Sequence, residues 1–243
     1  MDETTLLLIG GCNGAGKSTL ARKLLPEYGI TRFLNADEIA RGLSPLDSTA
    51  TALKAGRLLI NEARELIDGK SSFALESTLS GKGHARLLES AKTAGFRIVL
   101  HYVSIESADQ AIERGRLRVG LGGHQVPPED IRRRFTRSRE LLFELYLPLA
   151  NEWGAWENAI PPARRIAENE NCNLEELRRM FESTNLMESA EPKLSVHSER
   201  VLKASREATE EMLEYYRRMG VKVTPQMTLA EDQGELNLPR GVL

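Results

Sequence analysis

Apolar positions along this chain change period several times, and each change predicts an element. Leu6-Leu7-Leu8-Ile9 is a short unbroken apolar run, which reads as a buried strand from Thr5 to Ile9. Lys17 to Leu25 switches to helical spacing and is expected to end near Pro26. Phe33-Leu34 makes a short second strand. Leu53, Leu58, Leu59, Ala63, Leu66 and Ile67 recur at helical spacing up to Gly69. Ser72 to Leu75 reads as a third strand, His84 to Ala94 as a helix closed by Gly95, and Phe96 to Val103 as a fourth strand. Strands alternating with helices in this way predict parallel βαβ units, hence an α/β three-layer sandwich with a mostly parallel central sheet. Ligands in such sheets sit beyond the carboxyl ends of the strands. Gly10 to Ser18, Asn35 to Asp37 and Glu76 to Thr78 each follow a strand and are therefore expected to be neighbours.

Beyond Val103 the pattern becomes basic. Ala108 to Arg118 is a helical segment carrying Arg114, Arg116 and Arg118, and the glycine-rich stretch from Gly120 to Pro128 follows it. A long helix then starts at the two prolines, with Glu129 and Asp130 in its first turn, where the helix dipole favours acids. Its apolar positions Ile131, Phe135, Leu142 and Leu145, with Ser138 between them, step by four, three, four and three. The result is an arginine-rich lid: a basic helix, a glycine hinge and a second basic helix. Trp153 to Asn158 and Arg164 to Glu168 read as a terminal strand pair. Glu188 to Pro192 has the look of a linker, and Ser198 to Met219 is an amphipathic helical pattern stopped by Gly220. Residues 1–185 are thus expected to form one domain, and 186–243 a helical C-terminal extension.

Charge narrows the function classes. Across 243 residues, 33 Lys and Arg stand against 35 Asp and Glu, which gives no global field to gather nucleic acid or an anionic membrane. No apolar run approaches the roughly 20 residues of a membrane span, and the start of the chain lacks the order of a signal peptide. A cytoplasmic protein is expected. The two cysteines, Cys12 and Cys172, provide neither a disulfide framework nor a zinc site, and Cys12 is read as filler rather than nucleophile.

The chemistry begins with GGCNGAGKSTL behind the first strand. Gly11, Gly16, Lys17 and Ser18 fill G-x-x-x-x-G-K-[ST] without a gap. Glycines let backbone N–H groups converge on phosphate, and the helix starting near Lys17 turns its positive end to the same anion. Gly11, Asn13, Gly14, Ala15, Gly16, Lys17, Ser18 and Thr19 are therefore expected to bind ATP or GTP, with Lys17 on the β and γ phosphates and Ser18 on Mg²⁺.

A phosphate loop alone does not separate a kinase from a motor or a nucleotide-gated scaffold. Asp37 could accept a proton from a substrate hydroxyl, or merely cap the helix that follows. Glu76 could bind substrate or stand near Mg²⁺, or be a solvated strand end. At about 100° per residue, Arg134 and Arg137 flank the apolar face of the long helix while Arg133 points away, which favours Arg134 for an inward role. Of the eight arginines between Arg114 and Arg139, about two or three are expected to touch phosphate. Phe135 is the one aromatic among them, which weakens a nucleic-acid groove.

GCNGAGKSTL, FLNADEIARGLSP, FALESTLSGKG and ERGRLRVGLGGHQVPPEDIRRRFTRSRELL together resemble the zeta-toxin family of P-loop kinases, and NEWGAWENA does so more loosely. The resemblance covers about Leu6 to Glu168. It implies a kinase that uses ATP or GTP, in a family whose best-known members phosphorylate the 3'-hydroxyl of UDP-N-acetylglucosamine and are held inactive by an antitoxin protein. It further implies that Asp37 is the base, that Glu76 and Thr78 contact substrate, and that Arg114, Arg118 and Arg134 bind phosphate. Glu157-Asn158 stands where relatives often carry an aspartate-asparagine pair, and the tail from Ser198 lies outside the resemblance. A kinase for another metabolite or nucleotide, and a non-catalytic nucleotide-dependent regulatory module, remain open.

Overall fold

The structure, a computed structural model, describes residues 3–186 except 46, 48, 49 and 121–125. Six strands form one sheet in the order β2-β3-β1-β4-β5-β6. They are β1 (Thr5–Gly10), β2 (Phe33–Leu34), β3 (Phe73–Ser77), β4 (Arg97–Ser104), β5 (Glu152–Glu157) and β6 (Arg164–Glu168). The first five run parallel, and β6 pairs antiparallel with β5.

Alternation along β1 explains the layers. Leu6 and Leu8 face one cluster, which takes in Leu59, Ala63, Leu66 and Ile67 of α3 (Ala52–Asp68) and Leu87, Leu88 and Ala91 of α4 (Gly83–Thr93). Leu7 and Ile9 face the other, with Leu20, Ala21 and Leu24 of α1 (Lys17–Glu27), Ala111 and Ile112 of α5 (Ala108–Gly120), and Ile131 and Phe135 of α6 (Pro128–Leu141). All four of these β1 residues are fully buried, and each contributes on the order of 1.5–3 kcal/mol relative to exposure. Helices on both faces make the expected three-layer sandwich, and α2 (Ala36–Leu43) and α7 (Leu174–Leu186) complete it.

Several expectations are corrected. Helix α1 continues through Pro26 to Glu27, since a proline in the last turn removes one hydrogen bond without forcing the chain to stop. Leu53 and Leu58 fit the spacing of α3 but lie 82% and 40% exposed, whereas Ala55 is buried. Strand β3 starts at Phe73 and extends through Glu76 and Ser77, so Glu76 lies within it. The long helix does not keep its four-three rhythm: past Leu141 it widens into a π turn over Leu142–Tyr146. That extra residue buries Tyr146 and leaves Leu145 only half-buried. Helix α7 was not expected, and it packs Leu177 and Phe181 onto the core. The centre of the glycine hinge and the extension beyond Leu186, with the helix expected from Ser198 to Met219, lie outside the described residues.

Candidate active site

The phosphate loop runs from Gly11 to Gly16 between β1 and α1. Its three glycines all have positive φ: 142° at Gly11, 75° at Gly14 and 91° at Gly16. Space forbids side chains there too. A Cβ would come within 2.4 Å of the Val103 carbonyl oxygen at Gly11, and within 2.4 Å of Asn158 Nδ2 at Gly16. Asn158, just beyond β5, donates from that nitrogen to the Ala15 carbonyl at 2.8 Å and ties the loop to the far half of the sheet.

Lys17 is buried and donates from Nζ to the Cys12 carbonyl at 2.9 Å. Its charge lies 3.7 Å from Glu76 Oε1. The other oxygen, Glu76 Oε2, accepts from Ser18 Oγ at 2.7 Å and from Asn35 Nδ2 at 3.0 Å. Loop, second strand end and third strand therefore meet where the topology said they would. With a side chain 12% exposed, Glu76 is no solvated strand end.

Asp37 does not cap α2. Asn35 does, accepting on Oδ1 from the N–H groups of Asp37 at 2.8 Å and Glu38 at 3.3 Å. Asp37 sits inside the first turn, exposed, and its carboxylate makes no hydrogen bond or ion pair among the described residues. Thr78 Oγ1 is 2.8 Å from Ser80 Oγ. The loop that presents this pair is held by Ser77 Oγ, which accepts from the Leu79 N–H at 3.1 Å and lies 2.7 Å from His84 Nδ1. Leu79 takes a positive φ of 54° there and is fully buried.

The arginines divide only in part as their helical positions said, since Arg137, expected with Arg134 beside the apolar face, is exposed. Arg134 reaches inward to Asn13 Oδ1 at 3.2 Å, while Arg133 faces out and pairs with Asp130. Arg114 packs on the loop, donating to the Gly14 carbonyl at 3.5 Å and to the Ala159 carbonyl at 2.9 Å. Burial lowers its pKa, as expected for a cation satisfied by carbonyls rather than by an acid. Arg118 is half-buried one turn further along α5, and Arg116 is exposed beside Glu113. Arg139 is the exception. It is buried against the Phe135 ring at 4.3 Å and donates to the Ile105 carbonyl at 3.0 Å, a structural use. Thr19 is exposed in the first turn of α1. Cys12 is buried, and its thiol is pushed up to about 11, so it is inert.

Three cations, Lys17, Arg114 and Arg134, thus line the loop, and Glu76 is the acid paired with Lys17 there. That excess suits a polyanion. A hydroxyl whose proton is already given to a carboxylate keeps its lone pairs free, so Ser18 beside Glu76 fits a divalent cation carried in with the phosphates. Among the described residues no group of three His, Cys, Asp or Glu is placed to hold a metal by itself. A cavity of about 500 Å³ between α5 and α6, lined by Asp109, Arg132, Phe135, Arg139 and Glu140, is a separate feature. No helix of the described residues is long and apolar enough to cross a membrane.

Sheet order, glycine loop and cation cluster define a P-loop nucleotide-binding protein. The chain belongs to the AAA domain family, whose model matches residues 6–142. It is 30% identical over 125 residues to an uncharacterised protein of Haemophilus influenzae, covering 51% of this chain and 88% of that one. Its fold is that of a structure from the PezAT chromosomal toxin-antitoxin system of Streptococcus pneumoniae, with a TM-score of 0.66, 14% identity, and coverage of 87% of this chain and 88% of that one. The AvrRxo1-ORF1:ORF2 complex with ATP matches with a TM-score of 0.56 at 14% identity, over 80% of this chain and 65% of that one. The fold expected from the zeta-toxin resemblance is the fold observed.

Two residues carry more of the site than the sequence indicated. Asn35 had a local signal, an Asn three residues before Glu38, the spacing of a capping box. Asn158 was marked only through the Glu157-Asn158 pair of the resemblance, and its role was hidden because its partner Ala15 is 143 residues away.

Proposed function

We propose that this protein is a kinase that transfers the γ-phosphate of ATP or GTP to a hydroxyl of a small molecule, with a sugar nucleotide such as UDP-N-acetylglucosamine as the first acceptor to test. The observation that carries the reading is the division of labour at α2: Asn35 caps the helix, which leaves Asp37 exposed and unpartnered among the described residues. In this reading the loop N–H groups and Lys17 hold the β and γ phosphates, and Arg114, Arg118 and Arg134 meet the charge that develops on the transferred group. Mg²⁺, held at Ser18, would supply further neutralisation of the phosphate oxygens. Asp37 takes the proton of the acceptor hydroxyl as its oxygen bonds to the γ-phosphorus and the bond to the β-phosphate oxygen breaks. Thr78, with Ser80, offers hydroxyls to the acceptor, and Glu76 orders Ser18 and Lys17. A protein antitoxin is the partner this reading proposes, since the Streptococcus pneumoniae relative belongs to a toxin-antitoxin system.

The test is a screen of purified protein with γ-labelled ATP and GTP, Mg²⁺, and a panel of sugar nucleotides, nucleosides and polyols. Label in one acceptor, absent with Lys17→Ala, supports the kinase. Tight nucleotide binding with no transfer to any acceptor or to water favours the regulatory module.

A further inference from the structure

Asn35 is buried, and its side chain is committed in two directions. Oδ1 accepts from the N–H groups of Asp37 and Glu38, while Nδ2 donates to Glu76 Oε2 at 3.0 Å. The reverse orientation of the amide is excluded, because it would set an NH₂ against two N–H donors and a carbonyl oxygen against a carboxylate. The same Oε2 accepts from Ser18 Oγ at 2.7 Å. One continuous chain of hydrogen bonds therefore runs from the helix bearing Asp37, through Asn35 and a single carboxylate oxygen, to the first turn of α1.

Packing through Ala36, Ile39 and Ala40, and a bond from Thr51 Oγ1 to the Ala40 carbonyl at 3.0 Å, hold the core face of α2, but the backbone that leads into it is short. It hangs from β2, a strand of two residues with two paired positions on β3, at the sheet edge. A hydrogen bond to a carboxylate is of the stronger kind, and here it is shielded from water. The cap alone asks only for an acceptor, which serine or aspartate supplies as well as asparagine. The donor half of the amide is the part that capping does not explain.

We propose that Asn35 is a positioning residue that holds Asp37 in register with Ser18, and so with the phosphate to be transferred, by bridging α2 to Glu76. The inference rests on the kinase reading above. It deepens that reading by making nucleotide site and proton acceptor one mechanical unit. Glu76 faces Lys17 and Ser18 from the loop side and Asn35 from the α2 side, so one carboxylate joins the phosphate loop to α2.

Two variants separate bridge from cap. Asn35→Ser keeps a capping oxygen but is too short to reach Glu76. Asn35→Asp keeps size and cap but turns an acceptor toward the carboxylate. Steady-state transfer from Mg²⁺·ATP to the acceptor used by the wild type, or to water, is measured beside thermal melting and circular dichroism. The expected result is a folded protein in each case, kcat lower by about tenfold or more, the usual scale for a displaced catalytic group, and KM for ATP changed by less than about threefold. Asn35→Asp is the more affected of the two. Variants with kcat within about twofold of wild type overturn the proposal. So does a loss of activity that only follows the folded fraction. A wild type that neither transfers nor hydrolyses overturns the kinase reading and takes this inference with it, whereas an active wild type with unaffected variants removes the bridge alone.

Discussion

Ser18 and Glu76 are hydrogen-bonded across the floor of the site, Oγ to Oε2, at 2.7 Å. The hydroxyl comes from the first turn of α1 and the carboxylate from the fourth residue of β3, so two separate βα units share one polar contact. Because the hydroxyl gives its proton to Glu76, its lone pairs point away from the carboxylate and are available to a cation. Ser18 and Glu76 thus act as a pair.

Glu76→Gln tests that pair. The amide keeps the size but loses the charge that orients Ser18 and faces Lys17 at 3.7 Å. Binding of a fluorescent ATP analogue without Mg²⁺ should be unchanged or tighter, since one negative charge near the phosphates is gone. The gain in affinity on adding Mg²⁺ should shrink by about tenfold, equal to about 1.4 kcal/mol. An unaltered Mg²⁺ effect would show that Glu76 serves the substrate alone.

Asp37→Asn should leave nucleotide affinity within a few fold and lower transfer by about a hundredfold or more, the scale of a lost general base. Asn35, not Asp37, holds the end of α2, so melting should barely move. Wild-type turnover in this variant removes Asp37 from the chemistry.

Adjacent arginines on α6 offer an internal control. Arg134 touches Asn13 in the phosphate loop, and Arg133 forms an exposed pair with Asp130 on its own helix. Arg134→Ala should lower kcat by about a hundred- to a thousandfold, the range for a lost donor to developing charge. Arg133→Ala should stay within about twofold, because exposed pairs contribute little. Equal effects would mean that the basic helix acts only through its overall field.

What the sequence made legible follows from how local each signal is. The run Leu6 to Ile9 and the spacing from Gly11 to Ser18 need nothing beyond their own segment, and both stand as read. Helical spacing alone does not say which face is buried. Leu53 and Leu58 are five residues apart, about 140° around a helix, so one stripe cannot bury both, and neither is buried. Helix α7 was hard to see because its buried core residues among the described ones, Leu177 and Phe181, stand four apart in a largely polar run. Arg139 reads like its basic neighbours but is a core residue stacked on Phe135. Nothing in a list of arginines distinguishes a phosphate ligand from a packing element until the facing residues are known.

The last prediction concerns His101, which lies in β4 beneath the loop that holds Asn158. Its Nδ1 accepts from Trp156 Nε1 at 3.2 Å, which places the ring proton on Nε2, 3.0 Å from Tyr28 Oη. Tyr28 in turn donates to Glu152 Oε1 at 3.1 Å. There is no room to adapt, since even a Cβ at Gly154 would stand 2.7 Å from Nδ1. Burial, with the nearby charge of Arg165 adding to it, pushes the His101 pKa down from 6.5 to about 4. An unfolded histidine takes up its proton first as the pH falls, so the neutral ring's contribution is complete above pH 6.5 and is lost progressively toward pH 4. By pH 5 the loss is about 2 kcal/mol. At about 2–4 °C per kcal/mol for a chain of this size, melting should fall by about 4–8 °C between pH 7.5 and pH 5. Burial lowers the pKa of His84 as well, so it adds in the same direction. His101→Gln, whose amide oxygen can still accept from Trp156, should melt lower at pH 7.5 but lose less on acidification than the wild type. Parallel melting curves for the two proteins across this range would show that His101 is not the group being titrated.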